Sequence, residues 1–263
     1  MLKSIFTKTL YEKRWATLWW SVAMFAMTLL IVVLFPVFRD SFGAALQDVP
    51  DSLKQVLGEA SDYQRLEGFL ELQVYMQMVF LTFVYGIILF TGLIAGEEGS
   101  GTLQTLLAQP VSRSKVYLQK LAAGMVILAV LSVGLLFGIV VGAAIIGESV
   151  NVWRNVQATL AQWLVALVFS LVGYCAGAVT GRRGIAGAIA GAYAFAAYMV
   201  SSLVQTAEGL KTVNYASPFR YFNSPRVLEH GLHFSNVLIL VIGAVVLTGV
   251  GWVIFNRRDV YQK

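Results

Sequence analysis

Six long stretches of the chain contain no aspartate, glutamate, lysine or arginine. They are residues 15–38, 72–96, 121–147, 155–181, 184–207 and 231–256. Each stretch holds about 25 residues, and an α-helix of that length rises roughly 37 Å, enough to cross a hydrocarbon core of about 30 Å. All 19 basic and all 14 acidic residues lie outside these stretches. The sequence therefore predicts an all-α integral membrane protein with six transmembrane helices near these residues.

The overall composition indicates the same class of protein. Hydrophobic residues make up 58% of the 263 residues and charged residues 13%, whereas a soluble domain carries about 25% charged residues. The spans and their short connections use the whole chain, so we expect a single transmembrane domain over residues 1–263. The net charge of +5 comes from basic residues at the ends of the spans. This placement favours a role in membrane orientation, with lipids as partners, over nucleic-acid binding.

The first 14 residues have the pattern of an amphipathic helix. Leu2, Ile5, Phe6 and Leu10 fall on one helical face, and most of the charged residues fall elsewhere. We therefore predict an interfacial helix over residues 1–14 that lies flat on the membrane before the first span.

The distribution of lysine and arginine predicts the orientation of the spans. If the N-terminus is cytoplasmic, the cytoplasmic segments hold most of the 19 basic residues, as the positive-inside rule requires. Six spans then return the chain to the same side. Both termini are expected to be cytoplasmic.

Glycine recurs every fourth residue in the third and fourth spans, and two glycines of the fifth span have the same spacing. The positions are Gly134, Gly138, Gly142, Gly173, Gly177, Gly181, Gly187 and Gly191. Four-residue spacing places glycines on one stripe, where the backbones of neighbouring helices approach closely. We favour packing within the chain, and the alternatives are a dimer seam or a moving helix contact.

Several kinds of chemistry lack the residues that they need. The spans carry no Asp, Glu, Lys or Arg, which argues against an intramembrane enzyme or a proton relay, so we expect no catalytic residues. His230 and His233 lie near each other without a third metal ligand, so we expect no metal site. Residues 142–149 are similar to a phosphate-binding loop, but Glu148 replaces the required lysine. Any ATP that this protein uses is therefore expected on another chain.

The loop over residues 97–120 is the most informative segment. Leu103, Leu106 and Leu107 have the spacing of one face of a short helix, and Pro110 is expected to end it. Ser112 is then placed to cap the next helix, which continues into the third span. A docking site for a cytosolic partner has this form, and the alternative is a simple helical turn between spans.

This loop resembles that of the permease subunit of ABC-2 type ATP-binding-cassette transporters. The family has a Glu, then Gly-Thr-Leu-Glu, a Leu-Leu pair, Pro-Val-Ser-Arg and a downstream Lys. The matching residues here are Glu97, Gly101, Thr102, Leu103, Leu106, Leu107, Pro110, Val111, Ser112, Arg113 and Lys120. The chain departs from the pattern at Gln104, where the family often has an acid. Weaker similarity covers residues 67–70, 217–221 and 257–260.

The resemblance implies that two permease chains, identical or different, pair with cytosolic ABC ATPase subunits. ATP and Mg would bind to the ATPase, and this chain would bind no cofactor. The short helix would be the coupling helix that the ATPase pushes. The residues implied in this coupling are Glu97, Glu98, Gly101, Thr102, Leu103, Leu106, Leu107, Pro110 and Arg113. For Glu97 and Glu98 the alternative is an ordinary charged end of the second span.

The resemblance also suggests that the second and fifth spans line the axis of the permease dimer. The few polar groups of the second span would then lie along the substrate path. They are Gln73, Tyr75, Gln77, Thr82 and Tyr85.

The leading hypothesis is the permease subunit of an ATP-driven exporter in the cytoplasmic (inner) membrane of a prokaryote. It would move a substrate across the membrane with ATP hydrolysed by a separate subunit. A mostly apolar interior suits a lipid, a peptide or an amphipathic drug. The alternative is a non-transporting membrane scaffold or regulator that anchors a cytosolic partner through the same loop. An intramembrane enzyme is the third and weakest hypothesis.

Overall fold

The described part of the chain forms a bundle of long helices with several small helices between them. The computed structural model describes residues 4–47, 64–204, 209–222 and 227–258. The helices are α1 (Ile5–Val33), α2 (Phe35–Gln47), α3 (Leu66–Gly99), α4 (Thr102–Leu107), α5 (Arg113–Ile146), α6 (Val152–Thr180), α7 (Arg183–Leu203), α8 (Leu210–Val213), α9 (Pro218–Phe222), α10 (Val227–His230) and α11 (Phe234–Arg257).

Within these described residues, six helical segments are long and apolar enough to cross a membrane. They are Ile5–Ser41, Leu66–Gly99, Arg113–Ile146, Val152–Thr180, Arg183–Leu203 and Phe234–Arg257. Each contains most of one uncharged stretch of the sequence, because burying a charge in lipid is expensive. The prediction of an all-α, multi-pass membrane protein with six spans is confirmed. The helices extend beyond several of the uncharged stretches, since polar residues continue a helix outside the hydrocarbon.

The N-terminal segment differs from its prediction. Helix α1 is continuous from Ile5 to Val33, so the described part of the predicted interfacial helix is not separate from the first span. Ser4 caps it, accepting a hydrogen bond from the backbone N–H of Thr7 at 3.1 Å. The side-chain oxygen of Gln119, on α5, accepts the backbone N–H of Ile5 at 2.9 Å. No glycine or proline interrupts residues 5–33, which explains why the helix continues without a break.

Helix α6 is the centre of the bundle. It packs against α3, α5, α7 and α11, and most of its residues are buried. Helix α1 packs mainly along α5 at the outside of the bundle. Val165, Phe169 and Tyr174 of α6 are completely buried.

The glycines of the third and fourth spans pack against neighbouring helices of the same chain. A Cβ atom on Gly138 of α5 would lie 2.9 Å from the backbone oxygen of Phe25 in α1. A Cβ atom on Gly173 of α6 would lie 3.0 Å from Thr91 of α3. In α7, by contrast, a Cβ atom on Gly187 or Gly191 would have no described atom within 4 Å. The intramolecular interpretation therefore fits α5 and α6, and the α7 glycines lie on an open face.

Helix α3 contains two π-helical segments, Leu70–Tyr75 and Gly92–Gly96. They flank a regular α-helical middle, Met76–Thr91. Each widened turn shifts the direction of the side chains that follow it, and such segments occur often at functional sites. The second one immediately precedes Glu97, at the start of the loop singled out in the sequence.

Candidate functional site

The loop between α3 and α5 has the predicted form. Gly101 turns the chain after α3 with a φ of +75°, a conformation that glycine adopts without strain. The short helix α4 follows and ends before Pro110. Ser112 caps α5, and its Oγ accepts the backbone N–H of Lys115 at 3.3 Å. The predicted short helix and the predicted cap are both confirmed.

Glu97 forms an ion pair with Lys120 of α5. The Lys120 side chain is only 2% exposed, whereas Glu97 is 24% exposed. The backbone oxygen of Glu97 also accepts hydrogen bonds from Ser100 Oγ and Thr102 Oγ1, both at 3.2 Å. Glu97 therefore ties the end of α3 to α5 and to the first residue of α4.

Glu98 forms a second ion pair, with Arg258 directly after α11. The backbone oxygen of Arg258 accepts a hydrogen bond from the Arg113 guanidinium. Gly181, the residue after α6, packs against this pair. A Cβ atom there would lie 2.8 Å from the carboxyl carbon of Glu98, and Gly181 has a φ of +64°. We refer to Glu97, Glu98, Lys120 and Arg258 as the ion-pair cluster.

Helix α4 presents a buried face and an exposed face. Leu103 is completely buried, and Leu106 and Leu107 pack half-buried against the core. The exposed positions of this segment are mostly small or polar: Thr102, Thr105, Ala108, Gln109 and Pro110. The amphipathic leucine pattern thus anchors α4 to the bundle, and its polar side stays open.

The predicted coupling residues divide into three groups. Glu97, Glu98 and Arg113 bond within the chain, and the three leucines pack inward. Gly101, Thr102 and Pro110 lie at or near the surface. Sequence reasoning missed Gly181 and Arg258 as members of this site. The sequence signals for Arg258 are the basic pair that follows the last span and the weak family similarity over residues 257–260, and neither indicates its partner.

The predicted path residues do not share one face of α3. The Tyr75 hydroxyl lies 3.1 Å from Asn155 Oδ1 and 3.2 Å from Thr159 Oγ1 on α6. Thr82 Oγ1 accepts a hydrogen bond from Gln162 Nε2 at 2.8 Å. These groups hold α3 to α6 and are buried.

The other three path residues point elsewhere. Gln73 and Gln77 hydrogen-bond to each other, and Gln77 is exposed. The Tyr85 ring packs on Trp20 of α1, with ring centres 4.8 Å apart. Only the two glutamines therefore lie on a side of α3 that is open in the single chain.

An open apolar groove of about 330 Å³ lies between α3 and α7. Its lining includes Phe80, Phe83, Ile88, Gly191 and Tyr198. The ring centres of Phe80 and Tyr198 lie 5.0 Å apart in an edge-to-face contact. A groove of this composition offers surface to lipid tails or other apolar groups.

Metal chemistry has no candidate centre in the described residues, which contain no group of three or more His, Cys, Asp or Glu able to hold an ion. The candidate site therefore consists of a small helix held by ion pairs, and a separate apolar groove lies between α3 and α7.

Comparison with known proteins identifies the family. The family model of ABC-2 family transporter proteins matches residues 22–260, which is most of the chain. No curated protein matches the chain. The match begins within the first span and covers the other five spans and the loop with α4, in agreement with the resemblance of that loop. The chain belongs to the ABC-2 transporter family, as a membrane permease component of an ABC transporter.

Proposed function

We propose that the chain is the permease subunit of an ATP-driven exporter, and that a separate cytosolic ABC ATPase binds it at α4. The observation that carries this proposal is the construction of α4. A buried leucine face and adjacent ion pairs hold this helix in place, and its exposed side remains available for a partner. ATP and Mg bind to the ATPase.

The coupling follows from differential binding. The ATPase binds two arrangements of the helix bundle with different affinity, and ATP changes which arrangement it favours. A push on α4 reaches the spans through Leu103, which is buried, and through Glu97, which is paired with α5. A flexible loop would absorb that push, whereas an anchored helix transmits it.

The substrate path runs along the open side of α3 and α7, where a second permease chain completes it. The groove with Phe80 and Tyr198 is apolar, and Gln73 and Gln77 add polar groups near one end of the same helix. Such a surface suits a lipid, a peptide or an amphipathic drug. Both termini and α4 face the cytoplasm of a prokaryote, across its inner membrane, as the distribution of basic residues favours.

The test is co-purification of the chain in detergent with its ABC ATPase, recovered by affinity capture from native membranes. Thr105→Arg places a long charged side chain on the exposed side of α4. Thr212→Arg is the matched control, at an exposed position of the short helix α8. We expect Thr105→Arg to lower the recovered ATPase about tenfold, a loss of roughly 1.4 kcal/mol in binding.

The control variant is expected to bind as the wild type does. Full binding by Thr105→Arg would place the ATPase contact elsewhere on the chain. If the wild-type chain captures no ABC ATPase, the exporter proposal fails and the membrane scaffold becomes the better account.

A further inference from the structure

The four charged residues of the ion-pair cluster are paired with one another inside the chain. Lys120 is almost completely buried, a position that an ammonium group tolerates only with a paired anion, which Glu97 supplies. Glu98 and Arg258 are 16% and 21% exposed, so most of their surface is also withdrawn from solvent. Side chains in this state are poorly placed to form the main contacts with another protein.

The same cluster joins the ends of four spans. Glu97 and Glu98 come from the end of α3, and Lys120 from α5. Arg258 follows α11, and Gly181 follows α6 and packs on the Glu98–Arg258 pair. The four helix ends therefore meet at one set of charges.

Further hydrogen bonds strengthen the same junction. Ser114 Oγ, near the start of α5, donates to Asn256 Oδ1, near the end of α11, at 3.2 Å. Deeper in the bundle the Tyr174 hydroxyl of α6 donates to the backbone oxygen of Tyr117 at 2.7 Å. The Tyr117 hydroxyl donates in turn to the backbone oxygen of Thr248 in α11, at 3.2 Å. Helices α5, α6 and α11 are thus tied together by several independent contacts.

We infer that the ion-pair cluster positions α4 and makes the adjoining ends of α3, α5, α6 and α11 move as one body when the ATPase pushes on α4. This inference rests on the proposed function. Its consequence is that Glu97, Glu98 and Arg258 are positioning residues that act through the fold, and the ATPase contacts the exposed side of α4 instead. Breaking the cluster uncouples the spans from the ATPase without removing the ATPase.

The experiment separates binding of the ATPase from the response of the spans. The complex is prepared with Glu98→Arg, with Arg258→Glu, and with both changes together, which exchanges the two charges. Co-elution reports ATPase binding. Hydrogen–deuterium exchange of the turn at residues 147–151, at the other end of the bundle, reports the response to ATP, Mg and vanadate.

Each single charge reversal is expected to retain at least half of the wild-type ATPase binding. It is expected to reduce the ATP-induced change in hydrogen–deuterium exchange at least fivefold. The double exchange is expected to recover at least half of that change. Thr212→Arg is the control, because it also introduces an arginine but lies at an exposed position of α8, outside the cluster. It should respond as the wild type does.

The inference is overturned if a single reversal abolishes ATPase binding and the double exchange does not restore it, since that result marks a direct contact. It is also overturned if the single reversals respond normally. If a single reversal fails to fold, Gly181→Ala replaces it, because its added methyl group intrudes on the intact pair. If the wild-type chain binds no ATPase, the proposed function itself is contradicted. A defect seen only in the variants is instead an effect of the change in the cluster.

Discussion

Buried polar side chains of α3 and α6 satisfy one another inside an apolar bundle. Thr82 donates to the backbone oxygen of Met78 at 2.8 Å and accepts from Gln162, which is completely buried. No described residue donates to Gln162 Oε1. The bond to Thr82 is therefore the principal stabilising contact of this amide, and its loss leaves a buried polar group unsatisfied.

Thr82→Val is expected to lower the free energy of unfolding by about 1–2 kcal/mol, because it removes the acceptor for Gln162 and keeps the side-chain volume. The double variant Thr82→Val with Gln162→Leu should recover most of that loss, since no amide then remains unpaired. Unfolding by denaturing detergent measures both. A Thr82→Val chain as stable as the wild type would show that Gln162 has another partner.

Substitutions of Glu97 and of Lys120 are expected to lower the free energy of unfolding by different amounts. Glu97→Gln leaves a buried ammonium without its anion and should cost about 3 kcal/mol, whereas Lys120→Met leaves a partly exposed carboxylate and should cost about 1 kcal/mol. Unfolding free energies of the two variants, measured in the same detergent, check the order. Equal costs, or a larger cost for Lys120→Met, would contradict the burial of Lys120.

At the scale of the helices, local patterns were predictable and long-range partners were not. The leucine spacing of α4 and the cap at Ser112 depend on neighbours in sequence, and both predictions are confirmed. The partner of Glu98 lies 160 residues away, and no local signal points to it. The π-helical segments of α3 have no sequence signature either. The amphipathic pattern of residues 1–14 predicted a separate interfacial helix, whereas α1 is continuous from Ile5 to Val33.

Alanine substitutions at two glycines test whether α5 packs closely against α1 and whether α7 has an open face. Gly138→Ala should destabilise the chain by about 1–3 kcal/mol, because the new methyl group collides with the backbone of α1. Gly191→Ala should change stability by less than about 0.5 kcal/mol, since that position faces open space. Thermal unfolding of both variants gives the comparison. A tolerated Gly138→Ala would mean that α1 does not approach α5 closely.

At the scale of the whole molecule, the sequence did not predict which side of α3 and α7 is open. The path residues predicted from the sequence were the polar residues of one span. In the structure, Tyr75 and Thr82 point toward α6. A helical wheel separates them from Gln73 and Gln77, but it does not say which side is buried. The packing of α3 against α6 determines which side of α3 is buried, and this packing is seen only in the structure.

The open face of α7 is expected to contact the second permease chain. In a Cys175→Ala background, Gly191→Cys should cross-link two chains under mild oxidation, whereas Ala186→Cys, buried in the fold, should not. Gel mobility under non-reducing conditions measures the product and shows whether the partner is a second copy or a different permease. Cross-linking at position 186 with none at 191 would contradict this arrangement.

ATP-driven movement of a substrate tests the central claim most directly. Inside-out vesicles carrying the chain and its ATPase are given a fluorescent phospholipid, a labelled amphipathic peptide and a cationic dye in separate assays. We predict that at least one probe accumulates only with ATP, and only when both chains are present and the ATPase is catalytically intact. Failure of all three probes to move, in vesicles whose ATPase binds the chain and hydrolyses ATP, would contradict the exporter account and favour a membrane anchor.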